Sequence, residues 1–244
     1  MEENKYDNSA FFEQYSQMDR SIKGLAGAGE WHAFEKLMPD FKDKRVLDLG
    51  CGFGWHCIYA EEHGASSVIG IDLSEKMIAE AKKKTTSSRI QYSQQGIGEF
   101  DYSKNQFDVV LSSLAFHYLE SFEEICRHVA NCLVTGGDFV FSVEHPIFTA
   151  EGRQDWTYDE AGNSLNWPVD RYFMESQRTS IFLGEEVVKY HKTMTTYLNT
   201  LLLNGFEITQ IVEPLPDERM LDTVPGMRDE LRRPMMLLIA AKKK

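Results

Sequence analysis

The constraint that narrows the fold most is the run RVLDLGCGFG at residues 45–54. An apolar, strand-like stretch passes directly into Gly50, Gly52 and Gly54, and a helical pattern follows over residues 55–63. Glycines at such a junction let the backbone turn tightly and approach a ligand without Cβ clash. Further strand-like runs lie at 68–73, 90–94, 107–113, 138–143, 206–212 and 235–241, the fifth introduced by Gly136-Gly137. Between them the spacing predicts helices over 75–84 behind the cap Ser74, 122–133 behind Ser121, and 190–203 before Asn204-Gly205. Strands alternating with helices predict a parallel α/β sheet covered on both faces. Residues 213–234 carry prolines and charges but no helical pattern, which permits an antiparallel last strand.

The details of the loop discriminate between ligands. A dinucleotide fingerprint reads G-x-G-x-x-G, whereas here the sixth position is Trp55 and the third glycine comes one residue early. Asp48 lies within the strand, where an acid would oppose a pyrophosphate but attract an amino group or a sulfonium. Asp72 ends the second strand about twenty residues on and can accept hydrogen bonds from adenosine ribose hydroxyls. Nicotinamide enzymes use the same device, so Asp72 alone leaves the ligand open.

Composition removes other classes. The chain has 244 residues, 42% hydrophobic and 26% charged, which suits one α/β domain. A formal net charge of -12 argues against nucleic acid as a partner, because Lys and Arg supply most of that affinity. No apolar stretch has membrane-spanning length, and residues 1–5 do not read as a signal peptide. The four cysteines form no C-x-x-C pair, so reduced thiols in a cytoplasmic setting and no metal site are expected.

Four motifs in order resemble the class I S-adenosylmethionine (SAM)-dependent methyltransferases. They are residues 46–54, the acidic stretch 68–74 followed by Met77, residues 107–113, and the turn 133–137. The whole chain is similar to small-molecule enzymes related to the ubiquinone and malonyl-carrier-protein methyltransferases. The resemblance implies a Rossmann-like sheet of seven strands in order 3-2-1-4-5-7-6, with strand 7 antiparallel. It implies SAM as cofactor, S-adenosylhomocysteine (SAH) as product, and a small O, N or C nucleophile as acceptor.

By position, the loop residues Asp48, Leu49, Gly50, Cys51 and Gly52 are expected around the methionine and ribose, and Asp72 on the ribose. Leu73 and Met77 would flank the adenine, with Ile97 on its other face. Ser112, Leu114 and His117 would lie near the methionine and the acceptor. Gly96 stands where many relatives place an adenine-binding acid, leaving that contact to backbone groups or Glu99. Residues 1–44 are expected to form a helical lid in which Tyr15, Met18 and Arg20 reach the cofactor, Arg20 at its carboxylate.

Residues 146–189, rich in Trp, Tyr and Phe, read as a cap over the acceptor, a dimer surface or a second small core. His117, His145 and His191 are the candidate general bases, because histidine titrates near neutrality. Glu144 could orient a histidine or bind an amine, and Tyr190 and His191 are expected to open the later helix. A nicotinamide-dependent oxidoreductase and a non-catalytic SAM-binding regulator remain the competing readings. Monomer and homodimer are both compatible with the sequence.

Overall fold

The computed structural model describes residues 4–244; residues 1–3, part of the expected lid and of the segment read against a signal peptide, lie outside the described residues. In chain order the strands are β1 (Arg45–Leu49), β2 (Ser67–Asp72), β3 (Ile90–Gln94), β4 (Phe107–Ser113), β5 (Leu133–Glu144), β6 (Thr157–Tyr158), β7 (Ser164–Asn166), β8 (Gln177–Phe182), β9 (Glu185–Tyr190), β10 (Phe206–Val212) and β11 (Met236–Lys243). Seven of them form one sheet in the order β10-β11-β5-β4-β1-β2-β3. This is the expected 3-2-1-4-5-7-6 order, with β11 antiparallel to both β5 and β10 and the remaining pairs parallel.

Side-chain alternation divides the core into two layers. Leu47, Leu49, Val110, Phe139, Phe141 and Ile239 face one layer, where the helices α6 (Phe122–Cys132) and α8 (Met194–Leu203) bury Ile125, Val129, Tyr197 and Leu201. Val46, Val68, Val109, Val140 and Leu238 face the other. There they meet Phe34 of α3 (Trp31–Phe34), Cys57 and Ala60 of α4 (Trp55–Glu62), and Ile78 of α5 (Glu75–Lys84). Ser74 and Ser121 cap α5 and α6 as their sequence positions predict, accepting from Met77 N and Glu124 N.

The connections depart from the sequence reading in three places. The fifth strand begins at Leu133 rather than residue 138, because Leu133 pairs with Phe107 before a register shift resumes pairing at Val109 and Asp138. Residues 190–193 are not helical: Tyr190 ends β9, and Thr193 caps α8 by accepting from Thr196 N. The stretch read as lacking helix holds α9 (Glu218–Thr223), capped by Asp217, and a 3-10 turn at Met227–Arg232. Before β1, the described residues fold into α1 (Ser9–Ser16), α2 (Asp19–Ile22), α3 and short 3-10 turns, a helical segment as expected there.

Residues 146–190 contain α7 (Pro146–Thr149) and the hairpins β6-β7 and β8-β9. A small aromatic core holds them together. Phe148 stacks on Trp167 at 5.0 Å, and the Arg233 guanidinium lies 3.9 Å from the Trp167 ring centre while pairing with Glu230. Buried Arg178 donates to the carbonyls of Ala150, Met174 and Arg171. Trp156 and Trp167 thus serve this second core, whereas Phe173 is 89% exposed. No helix among the described residues is long and apolar enough to cross a membrane.

Candidate active site

The carboxyl ends of β1, β2, β4 and β5 open on one cavity of about 400 Å³. Its floor is the glycine loop. Gly50 has φ +76°, and a Cβ there would lie 2.6 Å from the Ala115 Cβ. Gly54, also in the left-handed region, starts α4, and a Cβ there would meet the Tyr92 hydroxyl at 2.3 Å. The early third glycine therefore lets β3 and α4 close against each other. A Cβ on Gly52 would meet nothing within 4 Å, so the loop presents open space to a ligand.

Asp72 ties the loop to the next helix. Its Oδ2 accepts from Gly52 N and its Oδ1 from Ser74 N, both at 2.9 Å. Burial pushes its carboxyl up to about 6, even though those two bonds favour the ionised form. Leu73, Met77 and Ile97 line the cavity beside it. Across the sheet, Leu114 lines the same space with φ +54°, its N–H bonded to the Ser142 carbonyl at 2.9 Å. A non-glycine residue in that region stores strain that the surrounding bonds must hold.

The N-terminal segment contributes Asn4, Tyr6, Tyr15, Met18 and Arg20 to the cavity wall. Arg20 Nη2 bonds both oxygens of buried Glu30, at 2.9 and 2.8 Å. Asp7 fastens the segment by accepting from Ser74 Oγ at 2.6 Å, Lys76 N at 3.1 Å and Glu75 N at 3.3 Å. The Tyr6 and Tyr118 hydroxyls lie 3.3 Å apart.

Not every residue expected at the ligand lines the cavity. Asp48 and Leu49 are buried beneath the loop; Cys57 Sγ donates to Asp48 Oδ2, and burial pushes Asp48 up to about 7. Cys51 lines a smaller neighbouring pocket with Arg20 and Glu30. Ser112 is buried with Oγ bonded to Leu49 O at 2.8 Å, and Ser113 takes the cavity position. His145 caps α7, its Nδ1 accepting from Ile147 N, and its Nε2 lies 2.8 Å from Glu213. His191 bridges Thr149 Oγ1 and Tyr172 O, each at 2.8 Å. Both lie outside the cavity lining: Thr149 and Tyr172 hold both ring nitrogens of His191, and the Ile147 N–H holds Nδ1 of His145.

His117 does line the cavity. Its Nδ1 accepts from Glu144 N at 3.4 Å, so in the neutral ring the proton sits on Nε2. Burial holds His117 down to about 4, so the neutral form prevails near pH 7. Beside it the cavity contains a polar group that sequence reasoning did not assemble. Lys189 Nζ bonds Glu144 Oε1 at 2.6 Å and Gln154 Oε1 at 2.8 Å, and Gln154 Nε2 bonds Glu144 Oε2 at 2.6 Å. Burial pushes the Glu144 carboxyl up, but His117, Lys189 and Gln154 outweigh it and leave it below its ordinary value. With His117 neutral, Lys189 is the charge that keeps it ionised. Leu119, Phe148, Ile181, Phe182, Met235 and Met236 make much of the remaining wall apolar, with the Tyr118 ring beside His117.

A doubly wound sheet with a glycine loop and a buried acid at the end of β2 defines a nucleoside-binding enzyme of Rossmann-like type. Comparisons with known proteins narrow the class. A family profile described as a methyltransferase domain matches residues 46–137. An S-adenosylmethionine-dependent methyltransferase structure from Mesorhizobium loti superimposes with a TM-score of 0.83 at 43% identity, covering 90% of this chain and 100% of that one. A Listeria monocytogenes protein described for the same activity gives a TM-score of 0.86 at 61% identity, over 91% and 99% of the two chains. A Haemophilus influenzae protein described as uncharacterized is 33% identical over 98% of this chain and 96% of its own. The malonyl-[acyl-carrier protein] O-methyltransferase of Enterobacter lignolyticus is 32% identical over 49% of this chain and 46% of its own, so the likeness spans about half of each. Other partial matches include a tRNA U34 carboxymethyltransferase of Cellvibrio japonicus and a protein arginine N-methyltransferase of Saccharomyces cerevisiae.

The chain belongs to the SAM-dependent methyltransferases. The site fits that cofactor: the open face at Gly52 leaves room for it, and Asp72 sets a carboxylate at the end of β2 beside the loop.

Proposed function

We propose that this methyltransferase acts on a small molecule held in the apolar chamber beyond the glycine loop. The observation that carries the reading is the continuity of the cavity, from Asp72 and Met77 past Leu114 and His117 to Phe148, Phe182 and Lys189. Asp72 binds the ribose, while Leu73, Met77 and Ile97 hold the adenine. Arg20, whose Nη2 carries both bonds to Glu30, offers its other N–H groups to the methionine carboxylate. Bound SAM supplies a methyl carbon activated by its sulfonium, and the protein's part is to orient the nucleophile and exclude water.

Residues 4–44 act as a lid over the cofactor and residues 146–189 as a cap over the acceptor; both supply cavity walls. A net charge of -12 and the buried position of the reacting end favour a small acceptor over RNA. The test is incubation with methyl-labelled SAM and a cell extract split into metabolites, RNA and protein. Label is expected in the metabolite fraction; label confined to RNA or protein would overturn the reading.

A further inference from the structure

We propose that the acceptor's reacting group is an acidic oxygen, a phenol, enol or carboxylic acid bound as its anion, recognised by Lys189 and the Nε2–H of His117. The inference rests on the reading that the chamber holds a small acceptor. It follows from counting donors. Lys189 spends two of its three N–H groups on Glu144 and Gln154. The third remains in a chamber whose nearby walls include the Phe182 ring, 5.8 Å from Nζ. His117 fixes Nδ1 as an acceptor of the Glu144 N–H, and its Nε2 makes no hydrogen bond among the described residues. Two N–H donors therefore remain unpaired in a buried space whose nearby walls are largely apolar, the Tyr118 hydroxyl beside His117 lying 3.3 Å from that of Tyr6. Glu144 is the one carboxylate at this end of the cavity, and both its oxygens are engaged by Lys189 and Gln154.

That arrangement discriminates against a cationic amine. Glu144 already holds an ammonium, and a second cation would sit beside Lys189 with little water to screen it. An oxyanion instead completes the donors, and two such charge-assisted bonds define its orientation. The acid loses its proton to water before binding, so the transfer needs no base. The oxygen's electron pair forms the O–CH3 bond while the C–S pair returns to sulfur, and the anion and sulfonium end as a neutral methyl ether or ester and a thioether. His117 acts in this account as a donor to the bound acceptor and does not remove a proton.

The probe is 4-nitrophenol, whose absorbance reports its ionisation, compared with its isostere 4-nitroaniline. Both are titrated into the SAH-loaded protein near the pH at which half of the free phenol is ionised. The bound phenol is expected to be largely ionised and to bind roughly tenfold or more tightly than the aniline. K189M is expected to weaken the phenol by a similar factor, K189R to keep most of it, and E144Q to strengthen it by removing the opposing carboxylate. Because K189M strands a buried carboxylate, K189M/E144Q compared with E144Q repeats the test without an unpaired charge. Equal binding of the two probes, a phenol bound in its neutral form, no binding of either probe, or no effect of removing Lys189 in either background would overturn the proposal. Failure of the wild-type protein to bind SAH would instead strike the cofactor assignment beneath it.

Discussion

Replacing Asp7 with alanine tests whether the N-terminal segment is coupled to the ligand. Asp7 stands outside α5 but caps it, taking Lys76 N and Glu75 N, while Ser74 Oγ both donates to Asp7 and accepts from Met77 N. A capping carboxylate at a helix N-terminus contributes about 1 kcal/mol, and its charge against the helix dipole about 0.3–1 kcal/mol more. Asp7 is partly exposed, so the latch is worth about 1–2 kcal/mol in all. Asn4, Tyr6, Tyr15, Met18 and Arg20 form one wall of the cavity. Once D7A releases that wall, ligand binding has to order it, and the loss appears as weaker affinity. The expected change is a roughly 5- to 30-fold weaker Kd for SAH, read by calorimetry, with a lower Tm for the free protein.

D7N keeps one acceptor oxygen and is expected to fall between the two. Hydrogen bonds outweigh burial and hold Asp7 below its ordinary value, so the latch is complete above the usual carboxylate range. Its stabilisation disappears as pH falls through that lowered value. SAH affinity of D7A within twofold of wild type would refute the coupling.

Other substitutions probe other parts of the account. D72N places an amide nitrogen against either Gly52 N–H or Ser74 N–H, and SAH affinity is expected to drop roughly tenfold or more in calorimetry; unaltered affinity would detach Asp72 from the cofactor. R178M strands the carbonyls of Ala150, Met174 and Arg171, and is expected to cost about 2–4 kcal/mol in denaturant unfolding; a stability equal to wild type would show that the cap does not depend on that cage. Asp48 has a raised folded value, so its stabilising contribution is full below the unfolded value near 4 and is lost as pH rises through about 7. D48N should therefore stabilise the free protein at pH 8 by about 2–3 kcal/mol more than at pH 5, while weakening SAM; a pH-independent difference in Tm would contradict this.

What the sequence reveals follows from how local each signal is. The glycine loop and the alternation of strands and helices are legible because each is written in a contiguous stretch, whereas the order of the seven strands is what the resemblance carried by the four motifs implies. Lys189 escapes because a charged residue occupies an inward position of β9, where Val187 and Lys189 are both buried. Alternation rules assign such a lysine to solvent, and the same misreading extended α8 backward to Tyr190. Gln154 and Glu144 meet it only through the fold of residues 146–190, across separations of 35 and 45 residues. His145 and His191 sit near the right strands but outside the cavity lining, the first capping α7 through Ile147 N and the second held by Thr149 and Tyr172, partners no spacing announces. Among the cap aromatics, sequence left three roles open, and the stacking of Phe148, Trp167 and Arg233 assigns Trp156 and Trp167 to a second core.

Where the two ligands lie is tested most directly by a crystal structure of the protein with SAH and 4-nitrophenol. The predicted result has both ribose hydroxyls within hydrogen-bond distance of Asp72, adenine between Met77 and Ile97, and the phenolate oxygen on Lys189 Nζ and His117 Nε2, facing the sulfur. An adenosine lodged in the chamber of Phe148 and Phe182, or a phenol bound away from Lys189, would contradict it.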